Sequence, residues 1–337
     1  MSAARAAAVP AAEPTARLVY ILAASHSGST LLAMLLGSHA DVCTAGELKA
    51  GSLGDVATYR CSCGTPIGRC GFWAKVAAET AARGEPLDIT DARTDVRAVP
   101  SAWARALLRP LHRGRAAEAL RDALLGLSPT WRRELPRRQS RNAVLVAALR
   151  AVTGRSCVVD SSKSGLRLKY LLRNRALDVK VIRLVRDGRA VALTYTDPAR
   201  FADAGDPGLR GGGGGGDRAH ERLSWRAAVR EWRRSNEAAE AILRGLHPER
   251  WIEVRYEDLC RSPGETLRRV LAFMGVDPAG LVLDFRRREH HVVGNGMRLD
   301  ATSEIRLDER WRTALTAADL ATFEADAGAL RRRLGYA

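Results

Sequence analysis

An α/β fold, a parallel sheet flanked by helices and enlarged by a helical insertion, is predicted by three features of the 337-residue sequence. Short apolar runs recur at residues 18–24, 156–160, 179–185 and 251–254, each too short for a helix and suited to a buried strand. Each run leads through a turn into a stretch of helical character, the alternation that builds parallel sheets. The first turn, Ser25-His26-Ser27-Gly28-Ser29-Thr30, joins strand to helix through small and hydroxylated residues. Its backbone N–H groups, helped by the positive end of the helix, can converge on an anion.

Length fits one enlarged domain, taken as residues 17–337, with 75–150 as the helical insertion and 197–224 as a flexible, glycine-rich segment that is either a plain loop or, as the family resemblance given below implies, a lid. Residues 1–16 are rich in Ala and Pro and are expected to form a disordered tail. The formal charge of +16 favours anionic ligands, acidic acceptors or a membrane surface. Aromatic content of 5% and the lack of a zinc-finger or RNA-recognition pattern argue against nucleic acid. No run reaches the ~18 apolar residues of a membrane span. A cytoplasmic protein is therefore expected, with peripheral membrane contact open.

The helix after the first turn runs through Leu31-Leu32-Ala33-Met34-Leu35-Leu36 and stops at Gly37. The turn is not an ATP or GTP loop of the usual kind, because Ala23 stands at the first glycine position and Ser29 at the lysine. With Gly28 alone of three glycines, it is not a dinucleotide fingerprint either. A serine-capped turn without ligand is the plain alternative. Residues 38–48 are expected to return over the loop's mouth, placing Glu47 as a general base or as a solvated surface acid.

Cys61, Cys63 and Cys70 form a compact group of thiols that, with Cys43 or a histidine, could hold structural zinc. The C-x-C-x6-C spacing lacks the paired C-x2-C of commoner zinc sites, so no metal is assigned. Residues 75–150 read as helices broken at Gly84, Pro86, Pro100, Pro110, Gly114, Pro129 and Pro136. The strand ending at Asp160 is followed by Ser161-Ser162-Lys163, which puts a lysine at the crevice where such sheets bind ligands. The strand 179–185 leads into Arg186-Asp187-Gly188-Arg189 and, eight positions after Arg186, Thr194. An arginine clamp beside a helix start suits phosphate.

The hexaglycine Gly211–Gly216 lies in the 197–224 segment, ahead of an amphipathic helix over 224–243 carrying Trp225, Val229 and Trp232. After the last strand come Arg255-Tyr256-Glu257-Asp258-Leu259 and a helix start in which Ser262 and Glu265 fit a capping box with Pro263 at its first position. His290-His291 and Arg298 sit in a glycine-bearing loop. Two histidines without a third ligand make a poor metal site.

The phosphate loop, Ser-Ser-Lys, the Arg186–Thr194 segment and R-Y-E-D-L, in this order, resemble sulfotransferases that use 3′-phosphoadenosine 5′-phosphosulfate (PAPS). The resemblance covers most of residues 18–275 and implies a P-loop-like, parallel α/β fold. It further implies that Ser25, His26, Ser27, Gly28, Ser29 and Thr30 hold the 5′-phosphosulfate, and that Arg186, Thr194 and Arg298 hold the 3′-phosphate. A Gly-Glu pair similar to that of tyrosylprotein sulfotransferases implies Glu47 as base. Lys163, and His26 when protonated, would stabilise the leaving oxygen. The family usually has lysine or arginine where His26 stands. PAPS would serve as co-substrate without a required metal, and the acceptor would be a hydroxyl of a small molecule, glycan or lipid. A nucleotide kinase on a related loop and a non-catalytic PAPS-binding protein are the rival classes.

Overall fold

A computed structural model of the chain describes residues 16–49, 53, 56–109, 114–202, 204, 206–209 and 222–337. Its centre is a five-stranded parallel sheet in the order β2-β3-β1-β4-β5, comprising β1 (Ala16–Ala23), β2 (Val42–Gly46), β3 (Cys157–Lys163), β4 (Leu177–Val185) and β5 (Trp251–Arg255). The central strand shows why an unbroken apolar run was needed. Leu18, Tyr20 and Leu22 enter one hydrophobic core, while Val19 and Ile21 enter the core on the opposite face.

The helices follow in chain order: α1 (Ser29–Gly37), α2 (Gly71–Ala82), α3 (Ala102–Leu107), α4 (Gly114–Leu127), α5 (Pro129–Thr153), α6 (Gly165–Leu171), α7 (Gly188–Thr196), α8 (Pro198–Phe201), α9 (Trp225–Leu243), α10 (Tyr256–Arg261), α11 (Pro263–Met274), α12 (Trp311–Ala314) and α13 (Ala317–Arg333). Every residue of α1 is buried, since it lies between the sheet and α11. On the other face Leu145 and Leu149 of α5 and Ala239 and Leu243 of α9 cover Leu18, Val158 and Val181. No described helix is long and apolar enough to cross a membrane.

Four expectations are corrected. Residues 42–46 form an edge strand rather than part of a loop. Five residues of small and mixed character show no period, and the strand is stabilised by its pairing to β3 and a bridge from Gly46 to Val293. Pro136 does not break the insertion but lies inside α5, whose start is marked by Pro129 and a Ser128 cap on the Trp131 N–H. Ser262 is the N-cap of α11 with Pro263 at N1, but its hydroxyl makes no cap bond, because its backbone (φ −134°, ψ 62°) continues from α10. Ala16, assigned to the tail, begins β1; the rest of that tail and the hexaglycine lie outside the described residues.

Candidate active site

A parallel sheet collects all its carboxyl ends along one edge. Here that edge gathers the 24–28 loop after β1, Glu47 after β2, Lys163 at the end of β3, Arg186 after β4 and Tyr256 after β5. The loop is built for close approach. Gly28 is the N-cap of α1 with φ +84°, and a Cβ there would lie 2.5 Å from Tyr256 Cδ2. His26 takes φ +62°, a costly value for a residue with a side chain. Its ring meets Tyr195 edge-on at 4.8 Å. Ser27 Oγ is buried and has no hydrogen-bond partner among the described residues. An orphaned hydroxyl beside the start of a buried helix suits an anion.

Glu47 and Lys163 meet at the mouth of this loop. Lys163 Nζ donates to Glu47 Oε1, and Lys49 Nζ lies 2.9 Å from Oε2. Burial by itself would raise the Glu47 pKa, but the two ammonium groups outweigh it and hold the carboxyl well below the usual carboxylate range. Glu47 is therefore ionised at neutral pH. Lys163 takes φ +66°, so candidate residues from two neighbouring strands both sit in strained backbone. The Glu47 N–H donates to Val293 O at 3.0 Å, and a Cβ on Gly294 would come 3.2 Å from Glu47 Cγ.

Asp160 organises the surroundings. Its Oδ1 accepts the N–H groups of Leu48 at 3.2 Å and Ser162 at 2.9 Å, and its Oδ2 pairs with buried Arg167 at 3.0 Å. Arg167 also donates to Thr94 O and Asn142 Oδ1, so the pair is fully hydrogen-bonded in the interior. Lys49 N–H donates to Ser162 Oγ at 2.9 Å. The result is a rigid bracket joining the segment after β2 to the end of β3.

Arg186 is fully buried over the Tyr256 ring at 4.2 Å. Its Nη1 donates to His26 O at 2.7 Å and its Nη2 to Asp308 Oδ2 at 2.8 Å. Burial opposes ionisation of Asp308, but Arg310 and Arg186 together lower its pKa. Glu257 accepts from Asp187 N–H at 3.0 Å and from the Tyr336 hydroxyl at 2.8 Å, which ties the turn after β4 to α10. Two expected ligands of the 3′-phosphate have other partners. Thr194 Oγ1 is buried and donates to Ala190 O at 3.0 Å, as helical threonines do. Arg298 lies over Tyr59 and donates to Arg60 O and Gly294 O at 2.7 Å each, bracing the segment behind Glu47.

Beside the ion pair opens a cleft of about 510 Å³ lined by Ser25, Lys49, Ser162 and Lys163 at its base and by α4, α6 and α9 around it. The insertion contributes Gly114, Glu118 and Arg121. Sequence reasoning missed Lys49, Asp160, Asp308 and Tyr256 as parts of the site. Only the strand-end position of Asp160 and Tyr256 hinted at them.

A family model described as "Sulfotransferase family" matches residues 19–279. Human carbohydrate sulfotransferase 2 is 29% identical over 180 residues, which cover 44% of this chain and 33% of that protein. Mouse carbohydrate sulfotransferase 5 is 33% identical over 176 residues, 49% of this chain and 44% of that protein. The chain thus spans less than half the length of these curated relatives. The sulfotransferase domain from the curacin biosynthetic pathway superposes with a TM-score of 0.53 at 20% identity, covering 96% of this chain and 98% of that one. The fold is thus shared with that domain, and the match across 19–279, which takes in every strand but the first residues of β1, shows that the chain belongs to the sulfotransferase family.

Proposed function

We propose that the chain transfers a sulfuryl group from PAPS to a hydroxyl of a carbohydrate or carbohydrate-bearing acceptor. The observation that carries this reading is the half-buried Glu47–Lys163 ion pair set against an anion loop whose buried Ser27 hydroxyl has no partner among the described residues. Backbone N–H groups of Ser27 to Thr30 would hold the 5′-phosphosulfate. The acceptor oxygen forms a bond to sulfur as the bond from sulfur to the bridging phosphate oxygen breaks, and Glu47 takes the acceptor's proton. Positioning and charge stabilisation carry most of such a transfer.

Lys163 links the two halves of the reaction. Against Glu47 it keeps the carboxylate ionised but weakly basic; moving toward the bridging oxygen, it would stabilise the leaving charge and let Glu47 gain basicity. His26, in its protonated form, would assist at the same oxygen. A 3′-phosphate would bind Arg186 by exchanging with the Asp308 carboxylate. The carbohydrate acceptor is supported by the names of the relatives and by a cleft with cationic and acidic side chains intermingled, including Arg121, Lys169 and Glu231.

Calorimetric titration with 3′-phosphoadenosine 5′-phosphate (PAP) and with ATP tests the donor site. PAP is expected to bind and ATP to bind far more weakly. Arg186→Ala should lose PAP selectivity, and Asp308→Asn should tighten PAP several-fold, since about 1.4 kcal/mol is a factor of ten. Preference for ATP, or indifference to the 3′-phosphate, contradicts the proposal.

A further inference from the structure

Cys61, Cys63, Cys70 and His291 bring their ligating atoms within 4.8 Å of one another, although Cys70 and His291 are 221 positions apart. Cys63 Sγ lies 3.7 Å from Cys70 Sγ, and His291 Nδ1 lies 3.7 Å from Cys61 Sγ and 3.5 Å from Cys70 Sγ. Tetrahedral zinc with Zn–S of about 2.3 Å and Zn–N of about 2.0 Å sets S···S near 3.8 Å and S···N near 3.5 Å. These three spacings match that shell, and the remaining ones reach no more than 4.8 Å. They do not match a disulfide, whose sulfurs are about 2.05 Å apart, and all three cysteines are free.

Local structure holds the four side chains in place. Cys61-Ser62-Cys63-Gly64 turns tightly, with Gly64 at φ +82° and its N–H donating to Cys61 O at 2.9 Å. Cys70 is the N-cap of α2, at the end of a helix where unpaired backbone N–H groups favour a nearby anion. Phe72 stacks on the His291 ring at 4.3 Å and 4°. Glu289 Oε1 lies 3.4 Å from His291 Nε2, the ring nitrogen turned away from the sulfurs. Histidine ligands of zinc are commonly oriented by a carboxylate in this way. Thiols packed only as small apolar groups would need neither the imidazole nitrogen among them nor a carboxylate behind it.

We propose that Cys61, Cys63, Cys70 and His291 form a closed, four-ligand structural site for Zn²⁺. Three thiolates and a neutral imidazole leave no open position, so the ion takes no part in chemistry. The site joins the 61–72 segment to the 290–294 segment. Ser62 Oγ accepts from Val292 N–H at 2.8 Å in the same junction, and Val293 O accepts the Glu47 N–H. Zinc thereby fixes the segment against which Glu47 is held, and this inference stands independently of the sulfuryl acceptor or donor.

Elemental analysis of the full chain, expressed with zinc and purified without chelator, should give about one zinc per chain. Cys70→Ser and His291→Ala should lower it to background, whereas Cys260→Ser should leave it unchanged. Because those variants risk unfolding, wild-type protein loaded with cobalt supplies a second reading. Thiolate-to-cobalt charge transfer with intense ligand-field bands of a tetrahedral site is expected. Zinc well below stoichiometry together with no thiolate–cobalt absorption overturns the site, as does a Cys63–Cys70 disulfide found by mass spectrometry in freshly purified protein.

Discussion

At the scale of residues, the site turns on a carboxylate held between two ammonium groups. Removing Lys163 leaves Glu47 with Lys49 at 2.9 Å and with burial, which raises its pKa. In Lys163→Met the acid limb of the pH profile for kcat/KM should therefore move to higher pH, and kcat should fall by about 10²–10³ through loss of leaving-group stabilisation. An unmoved acid limb would mean that Glu47 does not titrate in catalysis. The sign for stability follows from the same pair. The depressed Glu47 pKa stabilises the fold above the unfolded-state carboxyl pKa, and that contribution is lost as pH falls toward the folded value. Lys163 and Arg186 stand at strand ends legible in the sequence, and Glu47 was singled out only by the family resemblance. The partners of Asp160 and Asp308 could not be picked out: Leu48 reaches Asp160 across 112 positions and Arg186 reaches Asp308 across 122, and no local pattern reports such pairings. Thr194 and Arg298 had the right residue types, but their hydrogen bonds go to carbonyls of the protein.

At the scale of elements, the strand–loop–helix unit of β1 and α1 carries both the core and the anion loop. Leu32, Leu35 and Leu36 are completely buried under the sheet. Leu32→Ala should cost about 2–5 kcal/mol of unfolding free energy, measured by denaturant melts, with a smaller loss indicating that the unit repacks. Four strands were visible in the sequence because each carries a short, mainly apolar run; β1, β3 and β4 bury theirs on both faces, while edge strand β5 buries only Val254. β2 was not, since Thr44, Ala45 and Gly46 lack any alternation and depend on β3 and Val293 for pairing. Pro136 misled for a related reason: packing of Leu145 and Leu149 sustains a helix that local preference would interrupt. The cysteine group and the histidine pair were each visible alone. Hydrogen bonds of Ser62 with the backbone of His290 and Val292, beside the bridge between Gly46 and Val293, bring the two halves together.

At the scale of the whole molecule, a chain with formal charge +16 attracts anions to its surface. Long-range attraction of this kind raises encounter rates and weakens with salt. The insertion shapes one wall of the cleft and the last third of the chain supplies Val293, Arg298 and Asp308 behind the strand ends. The particular residues each contributes could not be read from local sequence pattern, because both arise from how distant segments close over the sheet edge. Transfer of sulfur-labelled sulfuryl from PAPS to carbohydrate acceptors, measured in wild type and Glu47→Gln alongside PAP binding, tests the central claim directly. Label should pass to the acceptor hydroxyl in wild type, and Glu47→Gln should cut turnover by about 10²–10⁴ while PAP affinity is retained. Near-normal turnover in Glu47→Gln would remove Glu47 as the base, and no transfer by a wild-type chain that binds PAP would leave a nucleotide-binding protein in place of an enzyme.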